Sequence, residues 1–452
     1  MENKKTLDDS KFPRSGWLVL LLFGAIGQIA WAVENMYFNL FVYDTIDDNL
    51  SIITLMVQLS GIVATVVTLF AGVLSDKLGN RRSFIAWGYT IWGVTVALFG
   101  CISPTLISNV FGISQDSAVS VALVLVVVGD CIMTLFGSTA NDAAFNAWVT
   151  DNTKPSYRGS VESIISILPL LAMLVVAGGF GILKDLIGYQ LLFISLGVVI
   201  TAAGVVGIFL VRDADRLEKN GGIRDIFYGF RPSVFKANLP FYVTMLVVLV
   251  SGIACQIFMP YLIIFMSTYL SFTTLEYSAV FAVAILAGAG INVYLGKLSD
   301  RVSKAKMLYY ATGIFSVGLL AMYFASMIKN HIALLILFGV GGFIMITGNI
   351  LLGALSGSMT RDNTPAGAVG KLQGVRMVAS VLIPMLIGPA IGNAINAARG
   401  EKLVDPGADA MTTEYIPAPE IFLAGAIVAL LIFAVVPLLT KVLRAKDSSD
   451  SE

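Results

Sequence analysis

The sequence contains little charge, little cysteine and almost no histidine. Of its 452 residues, 13% are Asp, Glu, Lys or Arg, three are Cys and one is His. Soluble domains carry about a quarter charged residues, so this composition excludes an ordinary soluble protein. Cys101, Cys131 and Cys255 all fall in or beside apolar segments, which indicates neither a disulfide framework nor a metal cluster. The single histidine, His331, is expected to be a solvated loop residue rather than a proton relay.

Several enzyme and nucleotide-binding motifs are also missing. The chain has no Gly-x-x-x-x-Gly-Lys-Ser/Thr loop, so ATP bound by such a loop is excluded as the energy source. It has neither a His-Glu-x-x-His motif nor a Gly-x-Ser-x-Gly elbow, so an intramembrane enzyme is not indicated. We therefore predict a protein that is not an enzyme, with no catalytic residue, no resident metal, no cofactor and no nucleic-acid partner.

What the sequence does have is a series of long apolar segments. Hydrophobic residues make up 57% of the chain and the mean hydropathy is +0.85. Residues 51–75 contain no charged residue, and a helix of about 20 residues crosses the hydrocarbon core. We predict an all-α membrane protein in the lipid bilayer with twelve transmembrane helices, near residues 17–43, 51–75, 83–103, 118–149, 160–183, 188–211, 238–267, 275–296, 307–328, 331–360, 370–397 and 417–441.

Positive charge is concentrated on one side of this arrangement. Of the 29 Lys and Arg, only Lys184, Lys329, Arg399 and Lys402 fall in the loops of the other side, and Arg376 falls inside a span. Because cytoplasmic loops collect Lys and Arg, both termini are predicted to be cytoplasmic. The first span is too long for a cleavable signal peptide. The predicted location is a cell membrane, the bacterial inner or plasma membrane, and the predicted state is a monomer.

One short charged segment occurs twice. Residues 72–82 read GVLSDKLGNRR, and residues 296–306, 224 positions later, read GKLSDRVSKAK. At the same offset Ile29, Ala30, Tyr37 and Phe41 match Ile253, Ala254, Tyr261 and Phe265, and Asp151-Asn152-Thr153 matches Asp362-Asn363-Thr364 at an offset of 211. Ordered matches of this kind indicate a duplication. We predict two pseudo-symmetric six-helix bundles, residues 1–211 and 237–452, joined by a cytoplasmic linker at 212–236.

The first copy of the segment has the composition of a hinge between two helices. Gly72 and Gly79 allow close approach of the backbone, and Asp76 can cap a helix or pair with a basic side chain. Read with Arg81 and Arg82, the segment resembles the loop signature of the major facilitator superfamily, Gly-x-Leu-(Ser/Ala)-Asp-(Arg/Lys)-x-Gly-Arg-Arg, and departs from it only at Asn80. The resemblance covers essentially the whole chain.

This resemblance implies a carrier in which two bundles rock about a central site, with a cytoplasmic latch that closes in the outward-open state. In the second copy Ser303 replaces the inner glycine, which predicts a weaker latch there. Arg158 and Glu162 are four residues apart, which favours an ion pair between them. The predicted gate residues are Gly72, Asp76, Arg81, Arg82, Asp151, Arg158, Glu162, Gly296, Asp300, Arg301 and Asp362.

Polar side chains also form a stripe inside the first span. Gln28, Asn35 and Asn39 project within about 20° of one direction on a helix, and Trp31 lies beside them. Amides next to an aromatic face suit the hydroxyls and C–H groups of a sugar. A helix–helix contact held by amides is the alternative.

Ionisable residues inside spans are costly, so they are functional candidates. Glu34, Asp130 and Asp142 are predicted to carry a coupling ion, either a proton or sodium. The segment from Asn141 to Trp148, with Asp142 and Asn146, resembles the fourth-helix pattern of the glycoside-pentoside-hexuronide cation symporters, the family of the melibiose carrier. That resemblance implies sugar binding at Asp142. The chain lacks the paired acids that these symporters carry on the second helix.

These observations predict a secondary transporter that moves a small polar solute, a sugar or glycoside, together with a cation by alternating access. The predicted solute-binding residues are Gln28, Trp31, Asn35, Asn39, Asp142, Asn146, Gln256 and Asn349. Two alternatives stay open: an exporter of drugs or amphiphilic solutes on the same fold, and a nutrient sensor that binds its solute without transporting it.

Overall fold

The computed structural model describes residues 12–153, 158–214, 226–299, 302–365, 371–400, 402–404 and 413–449. Within these residues the chain is helical apart from one hairpin, in which Lys402–Val404 (β1) pairs antiparallel with Thr413–Tyr415 (β2). A bilayer favours helices because each helix satisfies its own backbone hydrogen bonds. The predicted all-α class is confirmed for the described residues.

Residues 12–214 are called the N-terminal half below. Its helices are α1 (Arg14–Thr45), α2 (Leu50–Leu78), α3 (Arg81–Phe99), α4 (Pro104–Phe111), α5 (Gln115–Asn152) and α6 (158–210). The short α4 turns by 83° from α3. Helix α6 contains a break at Gly188, whose φ of 76° and ψ of 165° are not helical and suit a residue without a Cβ.

Residues 226–449 are called the C-terminal half, within the limits of the described ranges. After a turn at Tyr228–Phe230, its helices are α7 (Pro232–Ala237), α8 (Leu239–Tyr269), α9 (Thr274–Ser299), α10 (Lys304–Ala325), α11 (His331–Asn363), α12 (Gln373–Arg399) and α13 (420–449). The turn and α7 belong to the predicted linker, and the Tyr242 hydroxyl donates to the Gly229 carbonyl, which ties them to α8. Residues 215–225 of that linker lie outside the described residues.

The described helices make the chain a multi-pass integral membrane protein. Ten of them are long and apolar enough to cross a bilayer, or eleven if α3 and α4 count as one bent span. The prediction of twelve differs from this number because the predicted fifth and sixth spans count together as Ile164–Leu210, a run of 47 residues that kinks at Gly188. Large apolar side chains such as Phe209, 80% exposed, and Leu186, 74% exposed, point outward, as lipid-facing residues do.

Several spanning helices contain a π-helical turn. Such turns occur at Glu34–Phe38 in α1 and Phe265–Tyr269 in α8, and at Val176–Phe180 in α6 and Val378–Leu382 in α12. These are corresponding helices of the two halves. Helix α5 has another turn at Ser138–Phe145, whereas its counterpart α11 is α-helical throughout. Because π-helical turns are frequent at functional sites, the turn that α5 has and α11 lacks marks α5 as a candidate functional helix.

The repeated segment marks one end of the molecule. Helix α2 ends at Leu78, Gly79 adopts the left-handed conformation with φ 62° and ψ 37°, and α3 begins at Arg81. We call this end the hinge end and the opposite one the far end. In this conformation Gly72 makes no close approach, because a Cβ there would meet nothing within 4 Å. Only Gly79 is required to be glycine, by its positive φ.

Side-chain hydrogen bonds join the two halves at the far end. They connect α2 to α8 and α12, and α1 to the segment that precedes α13. The pairs are Ser51 with Asn393, Thr54 with Tyr261, Gln58 with the Leu386 carbonyl, and Tyr43 with the Tyr415 carbonyl. The far end is therefore closed in this conformation.

Candidate functional site

The polar stripe of α1 faces the C-terminal half. At its far-end limit, Asn39 is 2% exposed and its amide approaches the Pro260 carbonyl of α8 at 3.4 Å. Asn35, one turn nearer the hinge end on the same stripe, is exposed. The same helix face thus passes from a closed contact between the halves to an open position within one turn. The interface between the halves opens toward the hinge end from Asn35 onward.

The stripe amides are not all free to bind a solute. The Asn35 amide donates to the Trp31 carbonyl at 2.7 Å, and the Asn39 amide donates to the Asn35 carbonyl at 3.0 Å. For Asn39 the predicted alternative, a helix–helix contact, describes this conformation, because its side chain is buried against α8. Gln28 and Trp31 are half-buried and Asn35 is exposed, so these three remain accessible.

Two acidic side chains meet in the interior of the N-terminal half. Glu34 of α1 is 8% exposed and Asp130 of α5 is 3% exposed. The Thr134 hydroxyl donates to Glu34 Oε1 at 3.0 Å, and the Ser60 hydroxyl of α2 donates to Asp130 Oδ2. Because Thr134 lies one turn from Asp130 on α5, the two carboxylates are close enough for their charges to interact. This cluster joins α1, α2 and α5.

The Glu34–Asp130 cluster carries no compensating positive charge. Glu34 Oε2 has no hydrogen-bond partner, and no Lys, Arg or His pairs with either carboxylate among the residues that the structure describes. An isolated buried carboxylate is strongly disfavoured unless it is neutralised. The arrangement is therefore suited to take up a proton or a small cation. Sequence reasoning missed Ser60 and Thr134, although Thr134 follows Asp130 by one helical turn.

Asp142 lies in a separate polar group. It belongs to the π-helical turn Ser138–Phe145 of α5 and is half-buried. The Asn141 amide donates to Asp142 Oδ1 at 3.1 Å, while Asn141 Oδ1 accepts from the Tyr89 hydroxyl at 2.9 Å. The Trp31 indole lies beside the Asp142 carboxylate, yet its N–H closes no hydrogen bond within the described chain. The indole nitrogen is buried, so the donor nearest to the Asp142 carboxylate is screened from the open interface.

The remaining predicted solute-binding residues lie on three helices. Asn146 of α5 is exposed and donates to the Asp142 carbonyl at 3.1 Å. Gln256 and Asn349, on α8 and α11, are half-buried. A Cβ at Gly388 would meet the Gln256 Cβ, so α8 and α12 pack closely there. No contact in the described part of the chain joins these two amides to the α1 stripe across the open interface.

The gate residues of the first copy form one network around Arg81. Its guanidinium pairs with Asp76 of α2 and with Asp151 of α5, the latter at 3.0 Å. Its backbone N–H donates to Asp213, which follows α6, at 2.9 Å, and so does the N–H of Arg82. All these partners belong to the N-terminal half, so Arg81 ties together the hinge ends of four helices of one half.

The second copy forms a simpler contact. Lys304 pairs with Asp362 at 2.6 Å, and both side chains are substantially exposed, 37% and 56%, against 7% for Arg81. Asp300 and Arg301 lie outside the described residues, and the side chains at positions 158, 162 and 296 are likewise not described. The predicted roles of Arg158, Glu162, Gly296, Asp300 and Arg301 therefore stay predictions.

No group of three or more His, Cys, Asp or Glu side chains that could hold a metal occurs among the described residues. Any ion at the Glu34–Asp130 cluster would be held by these two carboxylates with neighbouring hydroxyls. That donor set suits a proton or a hard cation that prefers oxygen.

Comparisons with known proteins place the chain in a broad group. Residues 20–356 match the sequence profile of the Major Facilitator Superfamily. Among solved structures, the nucleoside transporter NupG superimposes with a TM-score of 0.64 at 12% identity, over 94% of this chain and 98% of that one. A bacterial homologue of the human lysosomal transporter Spinster superimposes with a TM-score of 0.64 at 12% identity, over 94% of this chain and 96% of that one.

A bacterial homologue of the iron transporter ferroportin, in its inward-facing state, gives a TM-score of 0.63 at 13% identity, over 94% of this chain and 98% of that one. At 12–13% sequence identity, these superpositions show a shared fold and nothing about the solute. No curated protein is a significant match to this sequence.

Proposed function

Because the chain belongs to the Major Facilitator Superfamily, we propose that it is a secondary transporter that moves a small polar solute together with a proton or sodium ion. The observation that carries this proposal is the Glu34–Asp130 cluster, two buried acids with no cationic partner among the described residues. Coupling to an ion gradient requires a group whose charge is neutralised by a cation from outside the protein, and these two carboxylates are such groups. Members of this family are generally transporters rather than enzymes.

The proposed topology has twelve crossings in two bundles, residues 1–211 and 237–452, with the linker 212–236 and both termini in the cytoplasm. A helix of 47 residues would be about 70 Å long, more than twice the roughly 30 Å of the hydrocarbon core. The break at Gly188 supports two crossings within Ile164–Leu210. The concentration of Lys and Arg in loops at the hinge end supports a cytoplasmic orientation of that end. A bacterial plasma membrane and a monomeric state complete the proposal.

The proposed cycle alternates between the two ends of the molecule. In this conformation the far end is hydrogen-bonded across the halves, while Asn35 is exposed on the same interface. These contacts support a state that is open toward the hinge end, which is the cytoplasmic side in the proposed topology. Such rocking around a fixed central site is how carriers built from two repeats work.

The proposed solute carries several hydroxyl groups, as sugars and glycosides do. The half-buried Asp142 carboxylate offers an acceptor, and the half-buried Trp31 ring, 5.2 Å from that of Trp92, offers an aromatic face. Asn35 and Asn146 add exposed amides. A nucleoside is a second candidate, since its ribose offers hydroxyls and its base can stack on Trp31. Export of amphiphilic solutes remains an alternative function on the same fold.

The test uses purified protein in proteoliposomes. Uptake of labelled glycosides, nucleosides and an amphiphilic dye is measured with an imposed pH or sodium gradient, and counterflow is measured without one. We expect Glu34→Gln and Asp130→Asn to reduce gradient-driven accumulation to the level of empty liposomes while counterflow persists, because solute binding does not use these acids. Asp142→Asn is expected to lose both activities.

The matched control is Asp116→Asn, which neutralises an exposed acid at the far-end start of the same helix α5. It should accumulate solute as the unmodified protein does. Wild-type accumulation in both the Glu34 and Asp130 variants would remove the coupling role of the cluster. Binding of a solute without any flux would support the sensor alternative instead.

A further inference from the structure

Two corresponding tyrosines reach the far-end interface from opposite halves. Tyr37 of α1 and Tyr261 of α8 are 224 residues apart, the offset of the repeated hinge, and both are fully buried. Tyr261 lies where α8 and α12 meet α2, and we call this contact the Tyr261 seam. Tyr37 lies where α1 and α6 meet α9, and we call this the Tyr37 seam. A symmetric gate would place the same bonds in both.

The Tyr261 seam is closed by hydrogen bonds. The Tyr261 hydroxyl donates to the Pro389 carbonyl at 3.1 Å and lies 2.7 Å from the Thr54 hydroxyl of the other half. Farther along α2, Gln58 donates to the Leu386 carbonyl at 2.8 Å. Ser51 and Asn393 add a bond of 3.3 Å at the mouth of this seam.

The Tyr37 seam contains the same kinds of groups without their bonds. A Cβ at Gly181 of α6 would lie 3.0 Å from the Tyr37 hydroxyl and 2.9 Å from that of Tyr277 on α9, so both hydroxyls face this glycine. Neither hydroxyl closes a hydrogen bond of normal geometry in the described chain, although the two lie near each other across the halves, and the Ser278 hydroxyl closes none either. Ser278 is the counterpart of Thr54 at the offset of 224, and it is also buried.

The other polar residues of the Tyr261 seam have apolar counterparts. At the same offset Leu275 stands for Ser51 and Ala282 for Gln58. Ala282 comes within 3.7 Å of the position of a Cβ on Gly178, which is an ordinary apolar contact. The Tyr37 seam is therefore held by packing of small and apolar groups, and it buries three hydroxyls that the closed state does not satisfy.

The two seams differ in how much they stabilise the closed state. A hydrogen bond formed on closure stabilises the closed state, whereas a buried hydroxyl without a partner destabilises it relative to a solvated one. We propose that the far-end gate is asymmetric. Tyr261 is the positioning residue whose bond to Thr54 holds the halves together, and the Tyr37 seam contributes no polar bond to closure. This proposal rests on the proposed alternation between two open states.

The experiment compares symmetry-related variants in the full-length protein. Cys101, Cys131 and Cys255 are first replaced, and spin labels are attached at Asn109→Cys and Lys329→Cys, exposed positions at the far end of each half. A second pair, Lys77→Cys with Lys306→Cys, reports on the hinge end. Double electron–electron resonance then gives the ratio of far-end-open to far-end-closed molecules for Tyr261→Phe, Tyr37→Phe, Thr54→Val and Ser278→Ala.

We expect Tyr261→Phe to raise the open-to-closed ratio at the far end about threefold to tenfold, because it removes the bond to Thr54 across the halves and the bond to Pro389 that orients the hydroxyl toward Thr54. Thr54→Val should raise it about twofold to fivefold. Tyr37→Phe and Ser278→Ala should leave the ratio unchanged or favour closure, since each removes a hydroxyl that has no partner. Thr65→Val is the control for Thr54→Val, because the buried Thr65 hydroxyl bonds only to Gly61 of its own helix.

Equal opening by Tyr37→Phe and Tyr261→Phe, or opening by Tyr37→Phe alone, would overturn the proposed asymmetry. If Tyr261→Phe does not yield folded protein, Thr54→Val against Ser278→Ala decides the question. A far-end distance that stays single in every variant and with every solute, at a fixed hinge-end distance, contradicts the proposed alternation itself. The two failures are therefore distinguishable.

Discussion

The two halves follow one helical plan, but among the residues that the structure describes only those of the N-terminal half include acids buried between helices. At the offset of 224 the counterpart of Glu34 is Phe258, which is fully buried in α8. At the offset of 211 the counterparts of Asp130 and Thr134 are Gly341 and Met345. In α11 these positions serve packing, because a Cβ at Gly341 would lie 2.9 Å from the backbone nitrogen of Met322 in α10.

In the proposed mechanism, this difference separates the elements that rock from the cluster that takes up the coupling ion. Both halves keep the hinge between the second and third helices, the matched tyrosines and π-helical turns in corresponding helices. The polar cluster of Glu34, Asp130, Ser60 and Thr134 occurs once, and α5 alone has a π-helical turn where α11 has none. The duplicated scaffold thus provides the symmetry, and the proposed coupling site belongs to one copy of it.

The largest effect is expected when the acid is placed in the wrong half. Phe258→Glu puts a carboxylate at the position of α8 that corresponds to Glu34, where Phe258 packs against Phe422 at a ring distance of 5.7 Å. No hydroxyl corresponding to Thr134 faces it, so the charge is unpaired and destabilises the fold by about 3–5 kcal/mol. Thermal unfolding in detergent measures this loss, with Phe258→Leu as the control for lost aromatic packing. A Phe258→Glu protein as stable as Phe258→Leu would show that the C-terminal half tolerates an acid equally well.

Much of the fold follows from the sequence because the bilayer restricts the choice. Apolar segments longer than about 20 residues have to become helices, and the repeated hinge fixes where two of them join. The number of continuous helices was harder to predict. Gly188 interrupts the helical backbone of α6 with a kink and not with a loop, so the predicted spans at 160–183 and 188–211 follow each other directly. Local conformation of a single glycine is not encoded in hydrophobicity.

The charged residues of the candidate site could be predicted from the sequence, whereas its neutral hydroxyl residues could not. Glu34 and Asp130 are conspicuous because an acid in an apolar span is rare, whereas Ser60 and Thr134 resemble many hydroxyl residues that bond to their own helix. Their role depends on which helix faces them, which is a tertiary property. Asn39 shows the converse, since its place on the stripe was predicted but its contact with the Pro260 carbonyl depends on closure of the far end.

The second-largest effect on stability is expected from the difference between the hinge ends of the two halves. Arg81 is buried and bonds to Asp76, Asp151 and Ser75, whereas Lys304 and Asp362 are both largely exposed. We expect Arg81→Ala to lower the free energy of unfolding by about 3 kcal/mol, because it leaves partly buried carboxylates unpaired. Lys304→Ala should lower it by less than about 1 kcal/mol. Chemical or thermal unfolding of both variants under identical conditions checks the ranking, and equal losses would refute it.

The smallest predicted difference concerns the turn itself. Gly79 has a φ of 62°, while the corresponding Ser303 has a φ of −52° and no side-chain capping bond. Gly79→Ala should therefore destabilise the protein by about 1–2 kcal/mol, because an L-residue with a Cβ is strained in the left-handed region, and Gly79→Asn should destabilise it less. Ser303→Ala should change stability by no more than about 0.5 kcal/mol. A loss at Ser303 as large as that at Gly79 would mean that both hinges impose the same backbone constraint, which the two φ angles contradict.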